Sequence, residues 1–186
     1  VGDRQVRNRG TIGGSLCWNY VAACMPPVAL ALNIEMELTS TNGSRKVLAD
    51  DFIGGPLETA REDDEILVSL NLAVAPVNTG SAYKKWGLVT DALPVIGVAV
   101  MITTEGSGVC TSARVAIDGP FRSKAAESAF QGVSANDSDG IAVALQAASD
   151  ETETQSDMWA DADYRKLLIR SLGADVVASA FARAAS

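Results

Sequence analysis

Ten residues near the start of the chain, Arg7-Asn8-Arg9-Gly10-Thr11-Ile12-Gly13-Gly14-Ser15-Leu16, combine glycines, hydroxyls and arginines before the sequence turns apolar. Glycine has no Cβ, so a backbone rich in it can turn tightly and come close to a bulky anion. Successive exposed N–H groups can then cradle phosphate oxygens. Thr11 and Ser15 add hydroxyl donors, and Arg7 and Arg9 add local positive charge. The chemistry that fits this stretch is binding of a phosphate-bearing cofactor. A Gly-Gly pair taken alone is most often only a turn, so the rest of the chain has to decide.

Few other residues offer chemistry of their own. The 186 residues include no histidine. This removes imidazole general bases, His-based triads and the commonest zinc ligand. The three cysteines, Cys17, Cys24 and Cys110, form no Cys-x-x-Cys pair, and an odd count does not suggest a disulfide framework. They read as small buried hydrophobes in a reducing, cytoplasmic setting. Asp50-Asp51 reads as a loop terminus rather than a metal site, and Trp18 and Tyr20 as packing residues. A formal net charge of −8 argues against nucleic acid as a partner. No apolar run is long enough to span a membrane. Any reaction here belongs to a bound cofactor rather than to a catalytic side chain.

The elements that must position the glycine stretch can be read from periodicity and turn residues. Pro26-Pro27 suits the first turn of a short helix reaching Leu32. Ile34–Leu38 alternates as a half-buried strand, Thr41-Asn42-Gly43-Ser44 is a hairpin turn, and Arg45–Leu48 returns. Ala49–Leu57 reads as a loop. Glu65–Val74 reads as a strand with Ile66, Val68, Leu70 and Leu72 on one face. Ala75–Gly80 is a boundary, dividing the chain into residues 1–76 and 77–186. Beyond it, Ser81–Leu88, Val95–Thr104 and Val109–Ile117 are strand candidates. Helical patterns follow at Lys124–Phe130, Ile141–Ala148 and Asp161–Ala185. Asp150–Asp157 reads as a solvated loop. Strands followed by helices predict an α+β arrangement, a three-stranded antiparallel sheet packed on three helices.

Several segments, in order, resemble one family. Residues 7–16 resemble the second flavin-contacting loop of the FAD subunit of molybdenum hydroxylases, which include aerobic carbon monoxide dehydrogenases and xanthine dehydrogenases. Asp51-Phe52, Glu65-Ile66-Leu67-Val68-Ser69 and Ser81-Ala82-Tyr83-Lys84-Lys85 are similar to later segments of that subunit. So are Ile96–Val100, Ala113–Ile117 and Ala162–Leu168. The likeness covers nearly the whole chain.

The resemblance implies an electron-transfer role: FAD held between two lobes collects electrons from iron–sulfur clusters and passes them to an acceptor. Partners would be an iron–sulfur subunit and a molybdopterin subunit, with self-association an option for the isolated chain. Thr11, Ile12, Gly13, Gly14 and Ser15 would line the FAD pyrophosphate and ribityl chain. Leu67 would sit against the isoalloxazine edge, and Lys84 or Lys85 would approach the flavin. Residues 1–76 would then be the second FAD-binding subdomain and 77–186 the C-terminal domain.

The family pattern also has an earlier subdomain with an Ala-Gly-Gly loop. The given sequence opens at Val1, just before the second loop, so a chain lacking that N-terminal FAD subdomain is expected. Cys24 stands where the family tends to place an aspartate, Gly87-Leu88 where it has Arg-Arg, and Ala92-Leu93 where it has Asp-Phe. A flavin-free structural or docking module derived from the same family is therefore the alternative, and the isolated chain is expected to be inactive.

Overall fold

Two apolar clusters, one on each side of a single antiparallel sheet, organise the chain. The computed structural model describes residues 2–89, 91–118 and 120–186; Val1, with which the sequence opens, Thr90 and Gly119 lie outside the described residues.

The first lobe begins with short helices α1 (Arg4–Arg9), α2 (Ile12–Trp18) and α3 (Met25–Leu32). The glycine stretch is thus a helix end followed by a helix start, not the open loop expected from its composition. Side-chain caps explain this. The Asp3 carboxylate accepts from the Val6 amide at 2.8 Å, and Thr11 Oγ1 accepts from the Gly14 amide at 3.0 Å. Each cap satisfies an amide that a helix start otherwise leaves without a partner. Asn19 and Asn33 close α2 and α3 in the left-handed conformation that asparagine tolerates. Pro26 and Pro27 occupy the first turn of α3, as expected.

Strands β1 (Glu35–Ser40) and β2 (Gly43–Leu48) form the expected hairpin. The segment after it is not a plain loop. It folds into the helical turn α4 (Ala49–Phe52), then β3 (Ile53–Gly55) paired with β4 (Glu58–Thr59). Burial of Phe52 and Ala49 in the first cluster holds this turn down. β5 (Ile66–Asn71) pairs with β1, giving the order β2-β1-β5. Its buried face differs from the alternation in the sequence. The register slips between Glu37 and Leu38, so Leu67 faces Leu38 while Leu70 faces Met36. A bulge of this kind leaves one residue unpaired and turns the following side chains over. Leu67 and Leu70 pack inward, and Ile66 and Val68 stand 69% and 54% exposed. Arg45 grips the Glu65 carboxylate through two nitrogens just before β5. That hydrogen bonding lowers the Glu65 carboxyl to about 2.

The second lobe is a sheet of β6 (Thr79–Trp86), β7 (Ile96–Thr104), β8 (Cys110–Ile117) and β9 (Phe121–Arg122), paired antiparallel in that order. The two-residue β9 adds a fourth strand to the three expected. Helices α5 (Lys124–Ala129), α6 (Ser138–Glu151) and α7 (Ala162–Ala184) follow, each opened by an oxygen-bearing cap: Ser123, Asp137 and Asp161. α6 runs three residues past the expected end. Glu151 accepts from Ser123 Oγ and the Ala125 amide, and Thr152 is buried, so the start of the expected solvated loop is structural.

Alternate residues of this sheet face opposite ways. Val98, Val100, Ile102, Val115 and Ile117 join the helices in the larger cluster. At Gly80 α7 comes so close that an added Cβ would lie 2.0 Å from the Ala180 carbonyl oxygen. The other face carries Ala99 and Ala116, which belong to the first-lobe cluster with α3. The two lobes therefore share this sheet. Arg114 stitches them, donating to the Leu30 carbonyl at 2.9 and 2.6 Å and to Asp50 at 2.8 Å. Arg122 binds the other Asp50 oxygen, so Asp50 is an ion-paired clamp between two guanidinium groups, while Asp51 is exposed beside it.

Candidate functional site

The start of α2 presents Thr11, Ile12 and Gly14 to solvent, with Gly13 and Ser15 half-buried beside them. Thr11 is committed as the cap, so its hydroxyl already takes the Gly14 amide. The helix geometry leaves the Ile12 and Gly13 amides without intrahelical partners. Two glycines here differ in what they demand. An added Cβ at Gly14 would lie 2.9 Å from Thr11 Oγ1 and disturb the cap. One at Gly13 would lie 3.7 Å from Leu67 Cδ2, an ordinary contact. The protein itself leaves room at Gly13, and the room lies against Leu67. Gly13 and Leu67 are thus brought together from distant parts of the sequence.

Asn19, which the sequence reading passed over, anchors this helix. It is fully buried, and its Nδ2 donates to the Gly55 carbonyl at 2.6 Å and the Glu58 carbonyl at 2.8 Å. Its position directly after the helical run, where asparagine closes helices, was the available signal. Trp18 is 61% exposed and stacks on Tyr20, ring centroids 4.9 Å apart, so it is not a core residue. Cys17 is half-buried, and burial raises its thiol against the opposing field of Arg61.

The two lysines of β6 part company. Lys84 faces α7 and pairs with Asp175. Lys85 lies on the other face, half-buried, opposite Gly97, and its Nζ donates to the Ala92 carbonyl at 3.1 Å. Tyr83 shares that face and packs against the first-lobe cluster. Asp118, directly after β8, also escaped the sequence reading. It is 6% exposed, and neither carboxylate oxygen has a hydrogen-bond partner among the described residues. Burial pushes its carboxyl well above the usual range, opposed by the positive charge of Lys85. The Tyr83 hydroxyl is likewise unpartnered and is raised mainly by burial, then by Asp118 and Cys24.

Residues 1–73 match the family described as FAD binding domain in molybdopterin dehydrogenase. Residues 81–180 match the CO dehydrogenase flavoprotein C-terminal domain. The chain belongs to the FAD-subunit family of the molybdenum hydroxylases. It is 30% identical to the carbon monoxide dehydrogenase medium chain of Hydrogenophaga pseudoflava, over all of this chain and 65% of that one. It is 32% identical to the nicotine 6-hydroxylase medium subunit of Paenarthrobacter nicotinovorans, over 96% of this chain and 63% of the relative. A solved carbon monoxide dehydrogenase from Hydrogenophaga pseudoflava superposes with a TM-score of 0.92 at 31% identity, covering 98% of this chain and 64% of that one. Quinoline 2-oxidoreductase from Pseudomonas putida 86 gives 0.89 at 27% identity, over all of this chain and 65% of that one. The chain thus spans under two thirds of the length of these relatives.

FAD is the cofactor of this flavoprotein family. The start of α2 fits a diphosphate-bearing group: its hydroxyl and glycine positions are accessible, and Gly13 has space that a side chain would fill. Among the described residues no cluster of cysteine, aspartate and glutamate is arranged to hold a metal ion. No helix among them is long and apolar enough to cross a membrane.

Proposed function

We propose that this chain is the FAD-holding, electron-passing part of a molybdenum hydroxylase. An iron–sulfur subunit would deliver electrons from a molybdopterin subunit, and an acceptor would take them from the flavin. The observation that carries the reading is the pairing of Gly13 with Leu67 inside the segment matched to the FAD-binding family. Thr11, Ile12, Gly13, Gly14 and Ser15 would hold the pyrophosphate and ribityl chain, and Leu67 would bound the isoalloxazine edge. Of the two lysines, Lys85 is the better candidate for the flavin, because Lys84 is engaged with α7. An ammonium there would stabilise negative charge on the reduced ring. Bound FAD would supply the electron chemistry; the chain's residues would grip and orient it. On this reading residues 1–76 form the FAD-binding part and 77–186 the C-terminal part. A cytoplasmic setting accords with the three unpaired cysteines.

The test is FAD titration of the purified chain, followed by quenching of flavin fluorescence. The expected result is saturable binding that Gly13→Ala weakens at least about tenfold, about 1.4 kcal/mol, while its melting temperature stays unchanged. Unaltered affinity in Gly13→Ala would remove the glycine stretch from the site.

A flavin-free docking module is the second reading. It is favoured by Cys24, buried where the family tends to carry an aspartate, and by Trp18 and Tyr20 stacking on each other. Absence of any saturable FAD signal in the same titration would select it.

A further inference from the structure

We propose that Asp118 keeps a proton beside the Tyr83 hydroxyl at the seam of the two lobes, and that the Lys85 ammonium changes partner when that proton leaves. The convergence of these groups is set by Gly97. A Cβ added there would lie 2.6 Å from the Tyr83 hydroxyl and 2.8 and 2.9 Å from the two Asp118 oxygens. The hydroxyl and the carboxyl therefore crowd the same small space, which exists because residue 97 has no side chain. The Asp118 amide donates to the Gly97 carbonyl at 2.9 Å and fixes the carboxyl over that spot.

An ionised carboxylate this buried and without partners is strongly disfavoured, so the proton stays on. The protonated acid is a donor as well as an acceptor, and so is the tyrosine hydroxyl. Neither has a hydrogen-bond partner among the described residues, so the neutral acid and the neutral hydroxyl sit side by side, with the Cys24 thiol at the start of α3 acting on Tyr83 as well.

The charged surroundings are few. From β6 comes Lys85. Neither β7 nor α3 carries an ionisable side chain. Arg114 on β8 is spent on the Leu30 carbonyl and Asp50, and Arg122 on β9 is spent on Asp50 and Glu127. Among the described residues of these elements, Lys85 is thus the cation not already bound to a carboxylate. While Asp118 is neutral, Lys85 rests on the Ala92 carbonyl. Once the proton leaves, the carboxylate across the strand pair outbids a neutral carbonyl, and the ammonium turns inward. The proton then sets where the positive charge of Lys85 stands. The significance for a cofactor rests on the reading of Lys85 given above, but the device itself needs no flavin, so the two fail separately.

The experiment is carbon-13 NMR of the flavin-free full chain, following the Asp118 carboxyl carbon and the Lys85 Cε through a pH titration. The expected result is an Asp118 midpoint well above the value of about 3.9 for an ordinary aspartate, with a Lys85 shift stepping at the same pH. Both signals are read in the wild-type chain. A carboxyl midpoint in the ordinary aspartate range, or a Lys85 signal indifferent to the Asp118 step, overturns the proposal. Asp118→Asn adds a stability readout. An acid whose folded midpoint is raised holds more protons folded than unfolded between its two midpoints, so the wild type loses stability as pH rises through that window. The melting temperature of Asp118→Asn minus that of wild type should therefore grow from pH 5 to pH 8. A gap that is constant or shrinks counts against it.

Discussion

The four-stranded sheet has two faces made from neighbouring residues of the same strands, and they are built on opposite plans. The face toward α7 is filled by Val98, Val100, Ile102, Val115 and Ile117, all essentially without solvent contact. The face toward α3 carries Gly97, Ala99 and Ala116, then Tyr83, Lys85 and Asp118. The centre of the first face is apolar and fully packed. The second is small in its centre, so a second lobe can approach, and polar at one end, where groups are left without partners. Burying large apolar side chains stabilises; burying unpaired polar atoms costs. A sheet that does both on adjacent residues separates the part that holds the fold together from the part that can respond to a proton or a ligand.

The largest effect should come from adding one carbon to each face. Gly80→Ala puts its Cβ against the backbone of α7, which cannot give without moving the helix. Its cost is expected at about 3 kcal/mol or more, read as a lowered urea midpoint. Gly97→Ala puts its Cβ against the ends of two side chains, Tyr83 and Asp118, which can swing away. Its cost is expected at about 1 to 2 kcal/mol, together with loss of the Asp118–Lys85 coupled titration. If the two variants cost the same, the faces do not differ in tolerance and the comparison breaks.

A smaller effect is expected at the clamp that ties the seam shut. Asp50 binds Arg114 and Arg122 together, all three partly shielded from solvent. Asp50→Asn keeps the shape and removes the charge. It should cost about 1 kcal/mol, and amide exchange should quicken in α3 rather than in α7. Faster exchange in α7 instead would mean that the faces are coupled.

The apolar face was legible because its code is local. The strand candidates at Val95–Thr104 and Val109–Ile117 and the helical patterns after Lys124 and Asp161 agree with the folded arrangement. The seam was legible only in part. The glycine stretch and Leu67 were noticed as residue types, but their contact depends on a bulge opposite Glu37 and Leu38 that no periodicity announces. That bulge is also why Ile66 and Val68 point outward. The helical start at Ile12 was hidden because glycines weaken a helix, and a single threonine cap outweighed them. Asp118 left no mark at all: an aspartate before a glycine reads as a turn residue, and only the folded sheet, which sets it over Gly97 beside Tyr83, makes it a buried acid.

The finest comparison is between Lys84 and Lys85, adjacent in sequence and on opposite faces. Lys84 makes an exposed ion pair with Asp175, so Lys84→Met should change stability by less than about 1 kcal/mol and leave FAD affinity alone. Lys85→Met removes the ammonium from the seam face. The stability change should again be small, because its bond to the Ala92 carbonyl is a single contact at a half-exposed position. FAD affinity should fall about threefold to tenfold, the value of roughly one charge-assisted contact, with the larger loss for the reduced flavin, whose ring is the more negative. Fluorescence titration and anaerobic redox titration read the two quantities separately. Equal losses in both variants would mean that strand polarity does not choose the flavin-facing lysine. Loss in Lys84→Met alone would move the site to the α7 face.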